Sequence, residues 1–334
     1  MRLALRRGIV TAAEPAVGAM QKLQVEIAGE RRPAVAEVQL VGPAAVGDDV
    51  VVNVAARDLK LGSGGFDIVH ANLTRGLSGD GIPGAHVMKL NYTSLQHAVL
   101  PVEGERLSLP LGKPAAVFFL HGQLPAIAFA FAAAAPGARL GYVQTAGGAL
   151  PGGLSETVGE LRDRGLLAGH LTAGPAYGGE GEAISTAGAI NHCLTELRWH
   201  AAAVGPGPGI LGSASALGHG GMAALDSAHT ALALGCQTVV IPRMSEGDPR
   251  ERHQGLSHHA ATVLRLALAP VTVPLPEGAP RVEDDRHRWV RAAAELDAYR
   301  ASGLPATTMG RPLEEDPLFF AAALAGGTVL AGLA

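Results

Sequence analysis

Aromatic residues make up only 4% of the 334 residues, and the formal net charge is a modest −4. A nucleic-acid binder draws on a basic stripe and stacking rings, so neither DNA nor RNA is expected as a partner. Cysteine is nearly absent: Cys193 and Cys236 are the two present, too few for a disulfide framework. Each lies in a periodic apolar segment and reads as a small core residue in a reducing cytosol. The basic start (Arg2, Arg6, Arg7) is followed by no apolar stretch long enough for a signal-peptide core, so a cytoplasmic location is expected. The uncharged end, Leu318 to Ala334, is Ala/Gly-rich and interrupted by Gly326-Gly327. It falls short of the roughly 20 strongly apolar residues of a membrane span; a helix packed on the body, and no membrane partner, is the expectation.

What is present is apolar residue at 48%, with 45 glycines and 22 prolines spread along the chain, the composition of a globular protein with many tight connections. The length predicts two domains plus an extension. Residues 1–111 read as a small β barrel or sandwich: Arg7 to Thr11, Leu23 to Ile27, Val35 to Leu40 and Asp49 to Val54 are short apolar or alternating runs separated by turn residues. Asn53, Asn72, Lys89 and Asn91 read as strand-edge or turn residues, and Gly76 to Gly84 as a loop. Over residues 112–276, apolar runs at Ala115 to Leu120, Arg139 to Val143, His170 to Thr172, Ala201 to Val204, Thr238 to Ile241 and Val271 to Val273 alternate with helical periods, one closed by Gly165 and another by Gly235. That alternation predicts an α/β fold, a three-layer domain on a mostly parallel sheet. Residues 277–334 read as a helical extension packed on it, with a charged helix over Val282 to Ala301 and a last helix opened by Asp316 as N-cap and Pro317.

In such a sheet the carboxyl ends of the strands share one edge, where ligands bind. The loops predicted there are His121-Gly-Gln123; Thr145-Ala-Gly147-Gly148; Gly174 to Gly179, containing Gly178; and Gly205-Pro-Gly207-Pro-Gly209, running on to His219. The fifth follows Arg243 and is the most unusual: Arg250-Glu-Arg252-His253-Gln-Gly-Leu-Ser257-His258-His259. Gly207 to Gly212 matches a dinucleotide pattern formally, yet Pro206 and Pro208 remove backbone donors and no ribose-binding acid follows. No phosphate-loop lysine and no G-x-S-x-G elbow occurs, so no cofactor is assigned. The histidine spacing is not the HExxH of a helix-borne metal pair, and Arg250 and Arg252 would repel a cation. The same charges suit an anion at a helix start capped by Ser257. They should also keep the histidines neutral. Adjacent His258 and His259 diverge by roughly 100° on a helix, so at most one is expected to face a ligand.

Gly84 to Tyr92, Thr145 to Pro151, Gly205-Pro-Gly207 and Asp248 to His259, with Met309-Gly310-Arg311 and Asp316-Pro-Leu-Phe-Phe320, give the chain a likeness over most of its length. It resembles an uncharacterised bacterial domain-of-unknown-function family, the one catalogued under number 3866. The resemblance implies no activity, so it carries over no catalytic role; it implies an acidic residue where this chain has Ala146.

These residues lead to the expectation of a small anionic metabolite held in the crevice, with phosphoryl or acyl transfer or hydrolysis as the chemistry. Arg250, Arg252, Arg243, His259, Gln123, Thr145, Gly147, Gly148, Gly178, Gly205, Gly207 and Gly209 are the candidate ligand-binding residues. His253, His258, His121 and Ser257 are the candidate catalytic ones, and none is assigned to a metal. Two other readings stay open at this point, a non-catalytic binding or regulatory module and a metal-dependent hydrolase. A homo-oligomer is compatible with the sequence.

Overall fold

The computed structural model describes residues 2–61, 65–280, 282 and 284–334. The chain divides into two compact units, Met1–Leu100 and Pro101–Ala334. In the first, β1 (Leu5–Ala13), β2 (Met20–Ile27), β3 (Glu30–Glu37), β4 (Asp49–Asn53) and β5 (Asp67–Asn72) close into a barrel in the order β1-β2-β3-β5-β4. Single-turn helices α1 (Val38–Val41) and α2 (Ala55–Asp58) follow β3 and β4. Strict alternation along β2 turns Leu23, Val25 and Ile27 inward, where Val10, Val50, Val52 and Val69 meet them, the period-2 pattern of a half-buried strand. Gly8 sits where the wall closes: a Cβ there would fall 2.6 Å from Val25. Asn72, the last residue of β5, is a turn residue as expected and also a buried brace. It donates to Asp48 at 2.8 Å, and its side-chain oxygen accepts from the Thr74 and Arg75 amides. The Gly76–Gly84 stretch is a loop, followed by the hairpin β6 (Val87–Lys89) and β7 (His97–Val99).

The second unit carries β8 (Pro114–Val117), α3 (Leu124–Ala134), β9 (Leu140–Thr145), α4 (Glu156–Asp163), β10 (His170–Ala173), β11 (Gly181–Ala183), α5 (Thr186–Thr195), β12 (Ala201–Pro206), α6 (Ala223–Ala233) and β13 (Gln237–Val240). After these come a two-residue ribbon, β14 (Met244–Ser245) with β15 (Gly255–Leu256), then α7 (His258–Leu266), β16 (Thr272–Pro276), β17 (Arg288–Ala292), α8 (Leu296–Ala301) and α9 (Pro317–Ala331). The sheet order is β11-β10-β9-β12-β8-β13-β16-β17, with every pairing parallel. Right-handed crossovers put α3 and α4 on one face, with α8 and α9 joining them, and α5, α6 and α7 on the other. The reversal of direction falls between the neighbours β8 and β12. Their carboxyl ends therefore open toward opposite faces, the geometry of a ligand crevice. Gly165 and Gly235, both left-handed at φ +70° and +69°, stop α4 and α6 as the sequence predicts.

Two expectations change. The helix predicted over Val282 to Ala301, of which Glu283 lies outside the described residues, is helical only at Leu296–Ala301. Before it, Arg288–Ala292 pairs with the open edge of β16, where ladder hydrogen bonds outweigh the helical tendency of an isolated segment. Asp316 stands at the N-cap of α9 but makes no cap bond; its carboxylate is turned to Ser245, the Glu246 amide and Arg311. Among the described residues no helix is long and apolar enough to cross a membrane.

Gly326 and Gly327 do not interrupt α9; they let it approach. A Cβ on Gly327 would fall 2.3 Å from the Ile127 carbonyl of α3, and one on Gly326 would fall 2.6 Å from Ile241 beyond β13. Alanine has the higher helix propensity, by about 1 kcal/mol, but overpacking costs roughly 1–3 kcal/mol. Gly327→Ala should therefore lower the unfolding midpoint in urea. An unchanged or raised midpoint would contradict this close-approach role.

Candidate functional site

Beyond β13 the chain runs through Pro242 to Arg243, which is 2% exposed. Its carbonyl accepts the Ser257 amide at 3.0 Å, so the arginine is pinned to the start of α7. Its guanidinium donates to Asp248 at 2.9 Å. Asp248, fully buried, also accepts the Arg250 amide at 3.0 Å and the Arg250 guanidinium at 2.8 and 2.7 Å. Arg311 approaches it at 3.5 Å and bonds Asp316 at 3.0 Å. Burial disfavours the Asp248 charge, but the hydrogen bonds from Arg250 and the neighbouring guanidinium charges hold its carboxyl well below the usual carboxylate range. Burial brings Arg243 down to about 10, which leaves it charged at neutral pH. Two buried carboxylates thus face three guanidinium groups, and Arg243 Nε is left without a hydrogen-bond partner.

Against this positive base stand four histidines. His219, in the loop after β12, stacks on His259 with centroids 3.7 Å apart, and His258 lies 4.3 Å from His259. His253 is 4.9 and 5.0 Å from His258 and His259. One ring nitrogen from each of His219, His258 and His259 comes within 4.8 Å of the others. His219 Nδ1, His258 Nε2 and His259 Nδ1 are buried without a hydrogen-bond partner. Although successive side chains diverge along a helix, one ring nitrogen of each of the adjacent pair, His258 and His259, belongs to this group; the unpartnered nitrogen is Nε2 in His258 and Nδ1 in His259. His219 Nε2 lies 3.0 Å from the Ala216 carbonyl; donation there fixes the tautomer that leaves Nδ1 a bare acceptor. Ser257 caps α7 through the His259 amide and bonds His253 Nδ1 at 2.7 Å. Burial first, and then the Arg243 charge, lowers His219 against the opposing hydrogen bond to the Ala216 carbonyl; burial, then neighbouring imidazole and arginine charge, lowers His258 and takes His259 to about 2. All are neutral bases at pH 7.

The other predicted residues are distributed differently. Arg252 is exposed, and the Nε and NH2 groups of Arg250 are taken up by Asp248. Gln123 is a staple: it accepts the Phe119 and Leu120 amides at 3.0 and 3.1 Å and donates to the Pro242 carbonyl at 3.2 Å. Thr145 is buried and bonds the Ala146 carbonyl. At Gly147, Gly148 and Gly207 the Cβ position is filled by neighbouring backbone, at 2.5 Å (Gly220 carbonyl), 2.2 Å (Gly207 carbonyl) and 2.4 Å (Ala149 carbonyl). Gly205 lies against the Phe118 ring, and the Gly178 amide bonds Glu182 at 2.6 Å. Gly209, left-handed at φ +68°, has nothing within 4 Å of that position.

His121 is not in the histidine cluster. Its Nε2 lies 2.6 Å from Ser155 Oγ and its Nδ1 3.5 Å from the Tyr142 hydroxyl, which donates to the Pro206 carbonyl at 2.9 Å. His170 stacks on Tyr142 at 5.0 Å and pairs with Gln144 at 3.1 Å. Ser155, Tyr142 and His170 escape a sequence reading because nothing in their spacing joins strand residues to a helix cap. The meeting of His219 with His258 and His259 escapes for the same reason, though the glycine-flanked place of His219 in a strand-end loop was a usable signal.

Two outcomes follow. Asp248→Asn strands the buried Arg243 charge, and breaking a buried pair costs about 3–5 kcal/mol; urea unfolding reads that loss, and an effect below about 1 kcal/mol would sink this account of the network. Burial lowers His121 to about 4 and His170 to about 3, so the unfolded chain binds their protons first as pH falls. Stability should be constant above pH about 7 and decline from about 6.5 downward, by at most about 1.4 kcal/mol per pH unit for each group. Urea midpoints at pH 7.5 and 5.5 check the sign.

No curated protein and no solved structure matches the chain. The family described as Protein of unknown function (DUF3866) matches residues 33–327, a span that takes in β4, β5 and most of β3 of the barrel, the whole parallel sheet and both histidine clusters. The chain belongs to that family.

Proposed function

We propose that the protein is a metal-dependent hydrolase of a small anionic substrate, with His219, His258 and His259 as ligands of a divalent transition metal, zinc first. Two observations together carry the reading: one ring nitrogen from each of His219, His258 and His259 lies within 4.8 Å of the others, and each of the three rings has a buried nitrogen without a hydrogen-bond partner. Buried polar atoms are normally paired, and three such rings in one cluster fit a cation better than chance. Tetrahedral zinc places imidazole nitrogens about 3.4 Å apart, so small ring rotations complete the set. The Ala216 carbonyl behind His219 plays the outer role that orients a metal-binding imidazole.

Three protein ligands leave a position for water, the pattern of a catalytic rather than a structural site. A metal there supplies a polarised water near neutral pH. The ligand set contains no carboxylate, and Arg243 adds a fixed positive charge whose field reaches all four histidines. That charge selects an anionic partner, a phosphate or carboxylate, and Arg243 Nε–H is the free donor for it. This keeps the anion expected from the sequence and moves its principal holder from Arg250 and Arg252 to Arg243. His253 lies against the ligands and is the group placed to relay a proton. A cytoplasmic setting is part of the same proposal, in keeping with two buried free thiols.

Purified protein dialysed against zinc should hold close to one equivalent by elemental analysis. His219→Ala and His258→Ala should each weaken that binding by more than about 10-fold, since loss of an outer partner alone costs 10–100-fold. A zinc content far below one equivalent in the folded wild type would sink the reading.

A further inference from the structure

A second cluster at the same sheet edge is chemically distinct from the histidine triad. Ser155 Oγ lies 2.6 Å from His121 Nε2 and accepts the Val158 amide at 3.1 Å. A hydroxyl that accepts from an amide has its own proton free to give, and His121 Nε2 is the acceptor in line. On the far side of the ring, Nδ1 faces the Tyr142 hydroxyl at 3.5 Å, and that hydroxyl is anchored on the Pro206 carbonyl. Tyr142 is held in turn by His170, stacked at an interplanar angle of 9°. The same serine-histidine pairing occurs at Ser257 and His253, but there the serine is sealed at 0% exposure and the histidine at 1%. At the second cluster Ser155 is 8% exposed and His121 only half-buried, so this pair alone of the two meets solvent.

We propose that Ser155 is a nucleophile for acyl transfer, that His121 is its general base and acid, and that Tyr142 is a positioning residue for His121. The pair goes beyond the metal reading and does not depend on it. The partners of Ser155 and His121 described above are the Val158 amide, the Tyr142 hydroxyl and each other, uncharged groups that suit a neutral carbonyl centre, an ester or thioester, rather than a phosphate. The Ser155 Oγ lone pair forms a bond to the carbonyl carbon as its proton passes to His121 Nε2, and the carbonyl π pair moves to oxygen. Collapse restores the carbonyl, breaks the bond to the leaving group and returns the proton to that group from His121. Water then repeats the sequence on the acyl-serine, and the proton ends on Ser155. The positive end of α4, capped by Ser155, eases loss of the proton from Oγ as the attack begins. Burial keeps His121 at about 4, a free base throughout the neutral range.

The test is covalent labelling of the full-length, chelator-treated protein with a fluorophosphonate, with the modified peptide mapped by mass spectrometry. The expected result is an adduct on Ser155, formed about 100-fold more slowly in His121→Ala, at a rate independent of pH between 6 and 8 in the wild type. Absence of an adduct on Ser155 overturns the proposal, as does an equal rate in His121→Ala that retains a cooperative thermal melt. The pH profile decides the matter if that variant does not fold: a rate rising tenfold per pH unit marks an ordinary serine attacked through hydroxide-driven ionisation and overturns it too. Labelling unchanged by the chelator keeps this outcome separate from the fate of the metal reading.

Discussion

Asp248 is the point from which the histidine-bearing half of the site is built. The chain leaving β13 must carry Arg243 into the interior, turn through a two-residue ribbon and re-enter as α7 with two histidines at its start. Bare guanidinium groups at that depth would be prohibitive. Asp248 receives Arg243 and Arg250 together, and Arg311 bridges from it to Asp316 at the start of the last helix. The result is a loop fixed at both ends by charge-assisted hydrogen bonds with one positive charge in excess. That excess matters to the rings above it: with burial as the larger cause, the Arg243 charge helps to lower all four imidazoles, and the proposed choice of an anionic partner rests on the same charge.

Much of the architecture was legible because two periods dominate the sequence. The alternation in β2 and the apolar runs of β9, β12 and β13 leave few other assignments, and Gly165 and Gly235 mark helix ends by their left-handed backbone. Other elements were opaque for definite reasons. α3, Leu-Pro-Ala-Ile-Ala-Phe-Ala-Phe-Ala-Ala-Ala, is apolar all round because it lies between the sheet and α9, so it has no stripe to detect. β17 was hidden by the charged residues on either side of Trp289 and Val290, which only acquire a sheet partner once β16 presents its edge.

The site was legible as a segment and not as an arrangement. Residues 250–259 stood out by composition, and their charges argued against a cation while their partners were unknown. Once Asp248 absorbs Arg250, and Arg252 is left in solvent, that argument loses most of its force. The triad also depends on His219, nearly 40 residues earlier, and on which nitrogen each ring leaves free. Those are facts of tertiary contact and tautomer. Likewise the glycines of the strand-end loops suggested room for a ligand, yet Gly147, Gly148 and Gly207 are glycine because backbone meets backbone there.

That seam has a mechanical meaning. The loop after β9 and the turn carrying His219 touch without side chains between them, a Cβ on Gly220 falling 1.9 Å from the Gly147 carbonyl. The seam also takes in the exposed loop before His219: the Leu211 amide donates to the Gly147 carbonyl at 3.0 Å and the Leu211 carbonyl accepts the Gly220 amide at 2.7 Å. Both sides of the His219 turn therefore bear on the loop after β9, and displacing His219 from the other two imidazoles means opening that backbone seam.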